Sequence, residues 1–448
     1  MKRTLIKNAT IVNEGKLFTG SVVIEGEQIA EILAAGVTPQ NPCGEVIDAT
    51  GCYLLPGIID VHVHFRDPGL THKADITTES KAAAAGGVTS IMDMPNTTPL
   101  TVTLSALHEK LDIMAQKSSV NYSCYFGATN NNYKEFSQLD EHSVCGIKLF
   151  MGSSTGNMLV DRAKSLSNIF SSTNLLIATH CESPDIIKKN QNHYKEKFNG
   201  ADDLPIGYHP LIRSTQACYA SSKMAVKLAQ KEKARLHILH ISTAKELGLF
   251  TNEIPVEEKK ITAEVCVPHL VFAARDYKRL GTRIKCNPAI KKANNREALR
   301  AAVNSNLIDT IATDHAPHLP ADKEGGALKA ASGMPMIQFS LVSMLNLVDE
   351  GVFTIEKVVE KMCHAPATIY SINNRGYIRQ GYQADLVLVR PKSDWELTRE
   401  QILSKCQWSP LEGTTFHWAV QNTFVNGHPV YSQGQIDETY RGQRLSFR

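Results

Sequence analysis

Asp60-Val61-His62-Val63-His64-Phe65-Arg66-Asp67-Pro68-Gly69 follows the apolar run Leu54-Leu55-Pro56-Gly57-Ile58-Ile59. Such a run, bounded by turn residues, reads as a buried strand, and alternate side chains of a strand face the same way. Asp60, His62 and His64 should therefore share one face, with Val61, Val63 and Phe65 on the other. Two imidazoles about 6–7 Å apart, at roughly 3.3 Å per residue, can grip one metal ion. An isolated His-x-His is more often a pair of satisfied core histidines. Here an arginine and a Pro-Gly turn follow at once, and ligand-type residues close several later apolar runs, which favours the metal.

Outward from this stretch, apolar strands alternate with helix-like segments, the rhythm of parallel βαβ units. Strand endings fall near His64, Met94, Phe126, Lys148, His180, His240, Cys266 and Asp314. Helical patterns occupy residues 79–85, 104–116, 214–231 and 296–303. Eight strands fit an α/β architecture of the (β/α)8 TIM-barrel type, whose active site lies at the carboxyl ends of the strands. Both chain ends read differently. Thr10-Ile11-Val12, Val22-Val23-Ile24 and Ala384-Asp385-Leu386-Val387-Leu388-Val389 are β-rich, and Asn426-Gly427 is a hairpin signal. A small β-sandwich built from residues 1–53 and 371–448, interrupted by a barrel over 54–370, is the expected domain organisation.

With 448 residues, 42% hydrophobic and 21% charged, the chain can bury an ample core. A net charge of +3 is too mild to argue for nucleic acid or a membrane surface. Lys259-Lys260 and Lys291-Lys292 are expected on solvated faces. Lys7 and Asn8 interrupt any signal-like apolar core, and no run reaches the length of a membrane span. Ten cysteines without a C-x-x-C pair suggest reduced thiols and a cytoplasmic location.

Lys148, in Cys145-Gly146-Ile147-Lys148-Leu149-Phe150, is a lysine inside an apolar strand, where an ammonium is costly to desolvate. It either pairs with a core carboxylate or is carbamylated by carbon dioxide to an anionic group able to bridge two metals. His180 and His240 close Leu175-Leu176-Ile177-Ala178-Thr179-His180 and Leu236-His237-Ile238-Leu239-His240. Asp314 opens Asp314-His315-Ala316-Pro317-His318 at the mouth of the eighth strand. Nitrogen and oxygen donors without thiolates suit zinc or another borderline divalent ion. Two ions about 3.5–4 Å apart can turn a shared water into hydroxide near neutral pH. Asp314 could then serve as general base and acid. The turn-rich interval 320–333 is either a lid or an ordinary surface loop.

In order, His62-Val63-His64, Lys148, His180, His240 and Asp314 resemble the ligand pattern of the amidohydrolase superfamily, over essentially the whole chain. His64-Phe65-Arg66-Asp67-Pro68-Gly69, Met94-Pro95-Asn96-Thr97 and Asp314-His315-Ala316-Pro317-His318 look like class I dihydroorotase within it. The resemblance implies that His62, His64 and Asp314 hold one metal, that His180 and His240 hold the other, and that carbamylated Lys148 bridges them. It implies substrate contacts at Arg66, Asn96, Asn287 and His318. Some class I members carry aspartate at the bridging position, and the lysine departs from that subgroup. The implied reaction is the reversible cyclisation of N-carbamoyl-L-aspartate to L-dihydroorotate, with Asp314 as proton shuttle. An arginine suits a carboxylate-bearing ureide, although Arg66 could instead pair with Asp67 or Glu79. Allantoinase, dihydropyrimidinase and a non-catalytic scaffold relative are the alternatives. The implied partner is a small molecule; a homodimer is compatible with the resemblance, and association with aspartate transcarbamoylase is left open.

Overall fold

The structure is a computed structural model that describes residues 2–152 and 158–447. The strands in chain order begin with β1 (Arg3–Asn13), β2 (Lys16–Glu25), β3 (Gln28–Ala34), β4 (Glu45–Asp48) and β5 (Tyr53–Pro56). The central strands are β6 (Ile58–Val63), β7 (Val88–Asp93), β8 (Asn121–Cys124), β9 (Phe126–Gly127), β10 (Ile147–Phe150), β11 (Ile177–His180), β12 (Leu236–Ile238), β13 (Ile261–Cys266) and β14 (Thr310–Ala312). The last are β15 (Leu386–Glu396), β16 (Thr415–Val425), β17 (His428–Ser432) and β18 (Gln435–Ile436).

The central strands are short, parallel and buried from end to end, as apolar runs covered on both faces must be. They run in two arcs, β6-β7-β8 and β9-β10-β11-β12-β13-β14. Chain continuity through Tyr125 joins β8 to β9. On the far side a parallel bridge between Val63 and His315, with His64 N–H donating to His315 O at 2.8 Å, closes β14 onto β6. The result is the eight-stranded barrel expected from the sequence. Helices such as Ile76–Ala85, Leu104–Lys117, Thr215–Glu232 and Ala293–Asn304 cover it. Register sets the site: Lys148 lies opposite Ala178 and Phe150 opposite His180, so Lys148, His180 and their neighbours finish at one rim.

The terminal strands pair with one another. One nine-stranded sheet runs β18-β17-β16-β15-β5-β1-β2-β3, with β4 beside β1. Its β16–β17 turn is Asn426-Gly427, with φ of 49° and 75°. A type I′ turn demands positive φ at both places, which asparagine tolerates and glycine adopts freely.

Two local expectations are corrected. The β6 ladder slips register between Asp60 and Val63, so strict alternation fails there. Val61 packs with Met92 and Tyr125, whereas Val63 and Phe65 join the larger core. Asp60 does not face the cavity with the histidine rings: it accepts from His62 N at 3.2 Å, Thr313 N at 3.2 Å and Thr313 Oγ1 at 2.5 Å. The lysine pairs are not simply solvated either. Lys259 pairs with Asp309 at 2.7 Å, and Lys291 is buried with its Nζ on Ala289 O at 2.9 Å. All ten cysteines are free thiols. No described helix is long and apolar enough to cross a membrane.

Candidate metal centre and substrate pocket

His62 lies one residue before the end of β6 and His64 just beyond it; His180 ends β11, His240 follows β12, and Asp314 follows β14. Residues 252 positions apart in the chain thus meet at the barrel mouth. His240 and Asp314 hold φ of 41° and 50°, and Arg66 holds 66°, in the left-handed region that side chains with a Cβ rarely occupy. Strained backbone at several strand ends around one cavity is the pattern of a functional site.

The hydrogen bonds fix how the rings face. His62 Nδ1 lies 2.7 Å from Glu264 Oε1, and His64 Nδ1 lies 2.7 Å from Asn96 Oδ1. With each Nδ1 turned to an oxygen, Nε2 of each ring is the atom presented to the cavity. Those two atoms sit 3.3 and 3.1 Å from the same oxygen, Asp314 Oδ1. On the other side His180 Nε2 lies 3.1 Å from Glu182 Oε2, and His180 Nδ1 lies 2.9 Å from His240 Nε2. Buried His240 Nδ1 has no hydrogen-bond partner among the described residues. Donor atoms of His62, His240 and Asp314 all fall within 4.8 Å of one another. Acceptors therefore converge on acceptors, an arrangement that a cation between them would relieve.

Electrostatics point the same way. Burial pushes His64 down to about 4, lowers His180 and takes His240 well below its ordinary value, so these three rings are neutral at neutral pH. Burial alone would raise Asp314, yet His62, His64 and Lys148 hold it well below the usual carboxylate range. Burial draws the Lys148 ammonium down to about 8. It forms no ion pair among the described residues and rests 4.6 Å from the Phe150 ring centroid, so a core ion pair does not account for it.

Beside these donors a cavity of about 280 Å³ is also lined by Arg66, Asn96, Asn287 and His318. All the candidate residues thus border one space. Arg66 pairs with neither carboxylate that might have claimed it. Asp67 takes Lys117 at 2.8 Å, and Glu79 takes His315 at 2.7 Å and Ser404 Oγ at 2.7 Å. Instead Arg66 Nε donates to Pro317 O at 3.1 Å, and Nη2 lies 3.1 Å from His318 Nε2. The guanidinium is buried, held by neutral groups, and faces the cavity. Burial, with Arg66, Lys73 and Lys323 nearby, pushes His318 down to about 2. Asn287 Oδ1 accepts from Ser332 Oγ at 3.1 Å.

A model of the amidohydrolase family matches residues 53–430. The chain belongs to the amidohydrolase family. Among its relatives in that family, the dihydroorotase of Methanosphaera stadtmanae is 30% identical over 437 residues, covering 97% of this chain and 98% of that protein. An allantoinase of Bacillus velezensis is 29% identical over 437 residues, covering 96% and 94%. The solved L-hydantoinase (dihydropyrimidinase) of Arthrobacter aurescens matches with a TM-score of 0.90 at 27% identity, over 97% of both chains. Metal dependence is general among amidohydrolases, and the donor set of this one fits it.

Three residues of this amidohydrolase were not reached by sequence reading. Glu264, fully buried on β13, holds His62 and also accepts from His240 N at 3.2 Å. Glu182 holds His180 and is itself paired with Arg213, which lines the cavity. A signal for Glu264 existed: a carboxylate inside an apolar strand raises the same question as Lys148. Glu182 and Arg213 carried no comparable mark.

Proposed function

We propose that this amidohydrolase is a dihydroorotase, interconverting N-carbamoyl-L-aspartate and L-dihydroorotate in de novo pyrimidine biosynthesis in the cytoplasm. One observation carries the choice: a buried arginine without a carboxylate partner among the described residues, Arg66, shares a cavity with converging imidazoles and Asp314. Neutral ureides such as allantoin and dihydrouracil give such a cation nothing to bind, whereas dihydroorotate carries a carboxylate. The dihydroorotases among its relatives support the same reading.

In this reading His62, His64 and Asp314 hold one divalent ion, and His180 and His240 hold a second. Zinc suits these nitrogen and oxygen donors. Lys148, with its pKa drawn to about 8, would add as neutral amine to carbon dioxide, losing one proton, and the resulting carbamate would be an anionic ligand shared by the two ions. Bound ions supply Lewis acidity for the ring carbonyl and lower the pKa of water.

The protein's own groups do the rest. Arg66 offers the substrate carboxylate a planar pair of N–H donors, and Asn96 adds its amide. Asn287 and His318 border the same space, His318 beside Arg66 itself. Asp314, kept ionised, takes a proton from the attacking water and returns it to the leaving ring nitrogen; ring closure runs the same transfers in reverse. The division into segments 1–53, 54–370 and 371–448 belongs to this proposal, the barrel carrying the chemistry and the end segments the flanking sheet.

The test is a side-by-side assay of zinc-loaded protein on carbamoyl aspartate and dihydroorotate, allantoin and dihydrouracil. Turnover of the first pair with kcat/KM at least about 100-fold above the others is expected. Preference for either neutral ureide would reassign the substrate, and no turnover with metal bound would favour a non-catalytic relative.

A further inference from the structure

The segment after Asp314 carries a feature that the proposed chemistry does not use. Lys323 closes the short helix Pro320–Lys323, and its side chain turns inward rather than out. Its ammonium donates to three backbone carbonyls: Lys285 O at 3.1 Å, Ala331 O at 2.7 Å and Gly333 O at 2.7 Å. It has no ion-pair partner among the described residues; neighbouring Asp322 turns to Lys73 at 3.2 Å. A buried ammonium held by carbonyls, with only the Trp408 ring 5.8 Å away besides, is costly to keep, so what those carbonyls belong to matters.

They belong to, or lie close in sequence to, residues that line the pocket. Ala331 and Gly333 flank Ser332, and all three line the cavity. Lys285 stands two residues before Asn287. Ser332 is the meeting point: its Oγ donates to Asn287 Oδ1 at 3.1 Å, and its carbonyl lies 3.1 Å from His318 Nε2. His318 is also met by Lys73 Nζ, 3.2 Å from Nδ1, and by Arg66 Nη2, 3.1 Å from Nε2. One side chain, Lys323, thus pins the carbonyl on each side of a residue that orients two candidate substrate contacts.

The surrounding contacts leave this strap little freedom of its own. Gly333 N–H donates to Lys285 O at 2.9 Å, and Ala331 N–H to Asp322 O at 2.7 Å. Gly333 has φ of 134°, and a Cβ there would come within 2.6 Å of Ala316 O and 3.1 Å of His318 Cδ2. The strap therefore presses against His318 as closely as a main chain can. Upstream, Asp203 accepts from Gly326 N at 2.6 Å and Leu328 N at 2.9 Å, fixing the other end of the segment.

We infer that Lys323 is a positioning residue for substrate recognition: by drawing the Lys285, Ala331 and Gly333 carbonyls onto one ammonium, it sets Ser332 between Asn287 and His318 and so fixes the wall that reads the substrate ring. This rests on the dihydroorotase reading for the identity of the substrate, though not for the architecture of the strap. Lys323 touches no reacting atom, so its removal should weaken binding and spare the proton transfers at Asp314.

The experiment compares wild type, Lys323→Met and Lys323→Arg, all zinc-loaded, by steady-state kinetics on dihydroorotate and by amide hydrogen exchange across 327–333. Lys323→Met should raise KM about tenfold or more while kcat stays within about threefold and zinc content is unchanged. Exchange across 327–333 should quicken in Lys323→Met. Lys323→Arg, which keeps charge and donors, should recover part of the KM. Wild-type KM in Lys323→Met, or faster exchange without a KM change, overturns the inference, as does an equal fall in kcat and kcat/KM. If Lys323→Met fails to fold, Lys323→Gln, which retains an amide donor, takes its place under the same criteria. Should wild type not turn over dihydroorotate at all, the substrate reading fails separately, and KM is read on whichever ureide is turned over.

Discussion

His62 Nδ1 lies 2.7 Å from Glu264 Oε1 across 202 positions of sequence, and both side chains are closed to solvent. The contact fixes the tautomer and rotation of the ring and leaves Nε2 aimed at Asp314. A carboxylate behind a ligating histidine also raises the basicity of the ring.

Replacing that carboxylate with an amide isolates its contribution. Glu264→Gln keeps volume but removes the charge and lets an NH2 group oppose the His62 N–H. Zinc affinity should fall about 10–100-fold, read by competition with a chromophoric chelator. Wild-type affinity would show Glu264 to be a core residue with no part in the metal site.

Arg66→Met tests the carboxylate clamp. Hydrogen bonds to charged groups contribute about 1.5–3 kcal/mol, so kcat/KM for dihydroorotate should drop at least about tenfold. Zinc content should hold, because Arg66 contacts Pro317 and His318 and no metal-facing donor atom. A mutant that keeps full activity would remove the basis for choosing dihydroorotate over a neutral ureide.

Much of this site is legible in the sequence because barrel strands are short apolar runs that end in a polar residue. Each expected ending, from His64 to Asp314, falls at or within two residues of an observed strand end. Helices such as Leu104–Lys117 show a capping Thr103 and an apolar stripe. Pro184–Lys197 buries only Ile187, and Ser340–Asp349 is apolar on most sides, so neither advertises a helical period. Partners are harder to read than elements. Nothing near Arg66 in sequence says that Asp67 is taken by Lys117 and Glu79 by His315. Nothing near residue 326 says that Asp203 holds it. Contacts across a hundred residues depend on the closed barrel, and local pattern cannot reach them.

Removing the metal should cost stability as well as activity. The donor atoms of His62, His240 and Asp314 crowd within 4.8 Å, and without a cation their lone pairs are left facing one another. Chelator-stripped protein should melt at a lower temperature. Zinc at about 100 times its dissociation constant should restore about 2.7 kcal/mol by mass action. Scanning calorimetry with and without zinc checks this, and an unmoved melting temperature with no bound zinc would empty the proposed centre.

Carbamylation of Lys148 has a pH signature whose sign follows from its burial. Only the neutral amine attacks carbon dioxide, and the ammonium is inert. An ordinary lysine, near 10.5, leaves about one part in three thousand neutral at pH 7; drawn to about 8, Lys148 leaves roughly a tenth. The reactive fraction therefore grows as pH climbs through about 8 and shrinks below it. Metal-free protein given zinc should regain activity faster at pH 8 than at pH 6 at equal dissolved carbon dioxide, and slowly in degassed buffer at either pH. Lys148→Ala should not respond to carbon dioxide at all. Recovery in wild type that ignores both pH and carbon dioxide would mean that the lysine works unmodified, and that any bridge between two metals comes from another group.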